Sequence, residues 1–205
     1  MKQFKIFVDF DKEEKYLNDM AKEGHILKKY SALGVYHFAD GKKQDLNYRV
    51  DYRIMKNKKD FEDYKAMFED FGWEHVYGTV TGGTQYFLPK SNSADDDIFS
   101  SKESAAARYK KMHKMCIMTA ILAVVYILVV LMCIEFKFSN LGFLTPGLWE
   151  KTSTELINAV LFELPFVVLR IAPVILFVVM GIVYGIWAEK AKKLYGQKMQ
   201  EEEQK

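Results

Sequence analysis

Cysteine and proline are scarce: 205 residues hold two of the first and four of the second. Cys116 and Cys133 lie in one apolar run, and seventeen residues of helix would separate them by roughly 25 Å, so they cannot pair within it. They read as small apolar side chains. His25, His37, His75 and His113 show no HxH or HxxxH spacing with a carboxylate partner, the serines lack a nucleophile elbow, and Gly82-Gly83 reads as a hairpin rather than a phosphate loop. Asp9 with Asp11 and the run Asp95 to Asp97 lack a second ligand cluster. No catalytic residue, metal site or cofactor is therefore expected, and the chain is read as not an enzyme. A net charge of +2 is too small to argue for direct nucleic-acid binding. Residues 1–5 lack the apolar stretch of a secretory signal, which places residues 1–90 in the cytosol.

Charge is missing from two later segments, so a mean hydropathy of -0.12 averages two unlike halves. Residues 115–134 carry none, and a 20-residue helix spans about 30 Å, the thickness of a bilayer's hydrocarbon core. A second segment, 167–187, contains Arg170, Pro173, Gly181 and Gly185, with an uncharged core at 171–188. Arg170 would lie near its outer end and snorkel to the headgroups. Lys102, Arg108, Lys110, Lys111 and Lys114 precede the first segment, and Lys190, Lys192, Lys193 and Lys198 follow the second. The connection between them holds only Lys137 and Lys151, so positive charge puts both termini on the cytoplasmic side of a cell membrane crossed twice. In the outer loop Phe136, Phe138, Phe143, Leu148 and Trp149 suit an interface. A helix capped by residues 152–154 begins near Glu155, and Pro165 bends the chain into the second span. Gly181 and Gly185 match GxxxG, for packing against the first span or for a homodimer.

The first ninety residues alternate and restart. Residues 4–10 read as a half-buried strand, Asp11 as a helix cap with Glu14 at the capping-box position, and Gly24 as the stop. Glu13, Tyr16, Leu17, Met20 and Ala21 share one mostly apolar face. Short strands follow at 25–30 and 35–38. A second round runs through a strand at 46–54, a helix capped by Asp60 and stopped by Gly72, and a hairpin of 73–77 with 84–88. The fold class is α+β: an N-terminal antiparallel sheet of about six strands with two helices, then two transmembrane helices. The sheet is either a tandem strand-helix-strand-strand or a ferredoxin-like arrangement with 25–30 and 73–77 irregular. The expected divisions are a domain at 1–90, a linker at 91–101, a basic juxtamembrane helix at 102–114, spans at 115–136 and 167–188, a loop at 137–166 and a tail at 189–205.

Aromatics and one charged strand face remain as candidates for binding. Tyr36, Trp73 and Tyr86 would cluster around the sheet, as core or as a cleft between the repeats that holds an amphipathic ligand. Arg49, Asp51 and Arg53 alternate on the polar side of their strand, either solvated or as a docking surface for a protein.

The succession FKIFVDFDKEEKYLNDMAKEGHILKKYS, GVYHF, YRVDYR, YKAMFEDFGWEHV, YFLPK and IFSSKES resembles the bacterial membrane proteins grouped as domain of unknown function 2812 (DUF2812) over roughly residues 2–114. The resemblance brings no catalytic residues. It implies a membrane anchor and genes often placed beside PadR-type transcriptional regulators, hence a regulatory or sensory role with such a regulator, another protein or a small ligand as partner. The tandem unit is also similar to GyrI-like effector-binding domains, a likeness of fold alone. A second class of function is an accessory subunit of a membrane transporter or envelope-stress system.

Overall fold

The computed structural model describes residues 1–31, 34–90, 97–133 and 142–203. Most of the expected polar linker, residues 91–96, lies outside these, as do Phe136, Lys137 and Phe138 of the connection. The described chain divides into two compact units, Met1–Lys114 with Ala188–Lys205, and Met115–Trp187.

The first unit is a duplication. Strand β1 (Lys2–Phe4), helix α1 (Phe10–Lys22) and strands β2 (His25–Tyr30) and β3 (Val35–Asp40) form one module; β4 (Arg49–Tyr52), α2 (Lys58–Asp70), β5 (Trp73–Tyr77) and β6 (Thr84–Pro89) form the other. Each makes its own three-stranded antiparallel sheet, in the orders β1-β3-β2 and β4-β6-β5. Since β2 and β5 are both paired strands, the ferredoxin-like alternative falls. The two sheets approach one another along these same strands.

Local chemistry repeats with the topology. Asp9 caps α1 through a bond from Lys12 N, and Asn57 caps α2 through one from Asp60 N, 48 positions on. The caps expected at Asp11 and Asp60 thus sit inside their helices. Gly24 (φ 94°) and Gly72 (φ 81°) end the helices in the left-handed region that a Cβ disfavours. The register of β2 shifts between Leu27 and Lys29, and that of β5 between His75 and Tyr77. The register makes Phe38 and Phe87 equivalent, opposite Leu27 and His75, and sets Gln85 where the first module has Tyr36.

The strand expected at 4–10 forms instead at Lys2–Phe4 and shares only Phe4 with it. With the cap at Asp9, Phe10 becomes the first helical residue and is buried, while Phe4 and Ile6 stay exposed. The second module closes on Met55, Phe61, Tyr64, Phe68, Trp73 and Phe87. Its hairpin loop is held from inside by Gln85, whose Nε2 donates to the carbonyls of Arg53, Thr79 and Gly82. Helix α2 lies on β5 of its own module, whereas α1 lies on β2 and also on β4 of the other.

Helix α3 is continuous from Lys102 to Cys133. Its segment 102–114, expected as a basic juxtamembrane helix, belongs to the first unit, where Ala106, Arg108, Tyr109 and Met112 are buried. The end of α4 (Ser153–Glu203), expected as a tail, packs there too through buried Ala188 and Ala191, and His113 Nδ1 lies 2.8 Å from the Ala188 carbonyl oxygen.

In the second unit, α3 and α4 are two helices long and apolar enough to cross a membrane. Tyr126 stacks on Phe177 at 3.8 Å. Pro165 does not divide the chain: α4 is one helix containing Pro165 and Pro173. Proline removes one N–H and crowds one turn, a loss that a long apolar helix absorbs. Its 51 residues extend about 77 Å, far beyond one hydrocarbon core. Arg170 does not reach outward freely. Its Nη1 donates to the Gly142 carbonyl at 2.7 Å and its Nη2 lies 3.8 Å from Glu163, whose carboxylate accepts from Leu144 N, Thr145 N and Thr145 Oγ1.

Candidate functional site: the seam between the modules

Because α1 starts over one sheet and reaches the other, its first turns face the seam between the modules. Two consecutive carboxylates, Glu13 and Glu14, are buried there. Burying a charge is costly unless hydrogen bonds or a counter-charge offset it, and the two glutamates meet that cost differently.

Glu13 is satisfied by neutral donors. The hydroxyls of Tyr36 from β3 and Tyr86 from β6 both donate to its Oε1 at 2.6 Å, so one oxygen joins the two modules. Burial pushes the Glu13 carboxyl up to about 7, against the pull of the two phenols. Burial and the neighbouring carboxylate raise both tyrosines in turn, so they stay protonated as donors. Tyr30 closes the group, its ring centroid 4.6 Å from that of Tyr36 and 5.9 Å from that of Tyr86. Tyr16 lies 5.7 Å from Tyr36, and the Lys5 ammonium sits over Tyr16 at 4.0 Å.

Glu14 is satisfied by a cation. Its Oε1 accepts from Arg108 Nη1 at 2.6 Å and from the Val50 N–H at 3.0 Å, while Arg108 Nη1 also donates to the Val50 carbonyl at 2.6 Å. The ion pair therefore occupies both backbone groups of Val50 on the outer edge of β4, as a neighbouring strand would. Arg108 Nη2 reaches Asp11 Oδ1 at 2.6 Å, and Asp11 Oδ2 takes Lys198 at 2.6 Å. The guanidinium lies among the rings of Phe10, Phe99 and Tyr109 at 5.0 to 5.4 Å. Burial raises the Glu14 carboxyl, and Arg108 opposes the shift. A cavity of about 220 Å³ lies beside this network.

The residues expected from sequence to bind are not one surface. Tyr36 and Tyr86 meet at Glu13. Trp73 is buried in the second module's own core. Arg49, Asp51 and Arg53 do not share a solvated face. Asp51 is buried, accepting from Tyr52 N at 2.7 Å and from the Tyr64 hydroxyl at 2.8 Å, because α2 brings Tyr64 over that side of the strand. Arg53 is exposed over the Tyr64 ring at 5.4 Å, and Arg49 lies 3.8 Å from Glu14 and 3.3 Å from Asp97. In the second unit, a Cβ on Gly181 would sit 3.6 Å from the Ala123 methyl, whereas nothing lies within 4 Å of one on Gly185. Sequence reasoning passed over Glu13, Glu14 and Arg108 as site residues. The available signals were a carboxylate on the apolar stripe of α1 and an arginine between the alanines at 105–107 and Tyr109.

The family model for the protein of unknown function DUF2812 matches residues 9–121, more than half of the chain. The chain belongs to the DUF2812 family. The DUF2812 match begins at the cap of α1 and takes in both glutamates, both tyrosines and Arg108. No curated protein and no solved structure matches the chain.

Proposed function

We propose that this DUF2812 protein is a non-enzymatic regulatory or sensory protein of the cell membrane. Helices α3 and α4 cross the bilayer, both termini are cytoplasmic, and the N-terminal unit binds a protein partner or a small ligand. A PadR-type regulator is the first partner to test. The observation that carries this reading is Glu13. An ionisable carboxyl buried at the seam, held by one tyrosine from each module, is an expensive way to join two sheets that apolar residues would join more cheaply. Such a group makes sense where the relation between the modules has two states that a bound molecule or a proton can bias. One of its oxygens, Oε1, is occupied by two of the protein's own phenols, an arrangement suited to positioning rather than to attacking a substrate. Helix α3, which carries the first apolar run, also carries Arg108, so the seam and the anchor share one element.

The test is a pull-down of the detergent-solubilised full chain with a PadR-type regulator. It should be enriched several-fold over an unrelated two-span protein, less so with Glu13→Leu. A parallel thermal-shift screen of the same preparation covers small ligands. Absence of enrichment together with absence of any ligand-dependent shift rejects the reading.

A further inference from the structure

Six lysines flank the apolar segments inside the first unit, three on each helix. Lys110, Lys111 and Lys114 lie on α3; Lys190, Lys192 and Lys193 lie on α4, and all six are exposed. The contact of His113 with the Ala188 carbonyl holds the two stretches together, Met112, Ala188 and Ala191 are buried, and Lys110 reaches to 6.0 Å from the Tyr195 ring. The lysines therefore form one collar rather than two separate flanks. Glu189 is the one acid within residues 105–114 and 188–199. Among the described residues none of the six makes an ion pair, whereas Arg108 and Lys198, on the same helices, are spent on Asp11 and Glu14. The cations facing the fold are neutralised and those facing outward are not.

We infer that this collar is a docking surface for the phosphate headgroups of anionic phospholipids. Clustered, unneutralised ammonium groups at the end of an apolar helix pair are complementary to anionic headgroups, and each such lysine contributes attraction that falls off within a Debye length. The inference rests on the membrane reading but not on the Glu13 seam or on any partner protein.

The test is retention of lipid by the purified full chain in mixed detergent micelles, where no inside or outside exists and the rule that orients membrane proteins has no bearing. Phosphatidylglycerol and phosphatidylcholine are supplied together, and bound lipid is measured by native mass spectrometry at low and high salt. The wild-type chain should favour phosphatidylglycerol by about fivefold or more, the factor one lysine contact supplies, and less at high salt. Changing the six collar lysines to glutamine should abolish the preference. A control variant with six other exposed lysines changed to glutamine (Lys28, Lys42, Lys43, Lys56, Lys58 and Lys59) has the same net charge and should keep it. Equal retention of the two lipids by the wild type overturns the inference, as does a preference that survives the collar variant or disappears in the control. A chain recovered soluble without detergent overturns the membrane reading itself.

Discussion

The two modules of the first unit share topology, caps, helix-ending glycines and even the site of the register shift, yet they solve the burial problem in opposite ways. With Asp9 matched to Asn57, Glu13 of the first module corresponds to Phe61 of the second, Glu14 to Glu62, and Tyr36 to Gln85. Phe61 is part of an apolar core; Glu13 is buried among phenols. Glu14 is buried against Arg108, whereas Glu62 is solvent-exposed and pairs with Lys65 at 2.7 Å. One backbone plan thus carries a hydrophobic lock in one copy and a polar one in the other. The difference follows from helix placement: α1 crosses to the neighbouring sheet and α2 does not.

Removing the cation should break the comparison most severely. Arg108→Met leaves Glu14 buried without its partner and should cost about 3–5 kcal/mol in chemical denaturation of the full chain in detergent, with part recovered by adding Glu14→Gln. The matching change in the second module, Glu62→Gln, should have no measurable effect, since its pair is solvated.

Titration sharpens the contrast next. The folded Glu13 carboxyl, at about 7, lies above its ordinary 4.5, so the native state holds the proton more tightly across that interval. The stability from this difference is complete below about pH 4.5 and is lost as pH rises through about 7, a fall of about 3 kcal/mol. Glu14 is raised in the same direction and adds to the slope. Glu13→Gln should remove the Glu13 share, seen as a flatter dependence of the denaturation midpoint on pH.

Smaller effects come from the phenols. Tyr36→Phe and Tyr86→Phe should each cost roughly 1.5–3 kcal/mol above pH 7, where they donate to an ionised carboxylate, and clearly less in a Glu13→Gln background. A double-mutant cycle with no coupling would remove the seam from consideration as a polar lock. The glycines form the mildest test. Gly72→Ala should cost about 1–2 kcal/mol through its left-handed backbone. Gly24→Ala should cost more than the left-handed backbone alone implies, because its Cβ would also lie 2.9 Å from the Gly41 carbonyl oxygen. Thermal midpoints of the two variants measure both costs.

Periodicity made the duplication legible. Of Tyr48, Val50, Tyr52 and Ile54, one side of the expected strand at 46–54, the first three are buried and Ile54 is exposed, while Gly24 and Gly72 read correctly as helix ends. The caps were misplaced by two and three positions because Asp9, Asp11, Asn57 and Asp60 all have the chemistry of a cap, and only backbone conformation selects among them. The candidate site was legible in part. Tyr36 and Tyr86 are candidates on sequence alone, but Asp51 reads as a surface residue, because alternation along a strand says nothing of a helix that covers its second face.

By itself the sequence determined which stretches are apolar enough for lipid, which glycines end the two helices, and that one strand-helix-strand-strand plan occurs twice. These follow from local periodicity and backbone preference, which act over a few residues. Only the tertiary structure decided that Glu13 receives a tyrosine from each module, or that Arg108 spends its charge on a residue 94 positions away. Pairings of that kind depend on which helix crosses which sheet, and that choice is made by the packing of the whole domain.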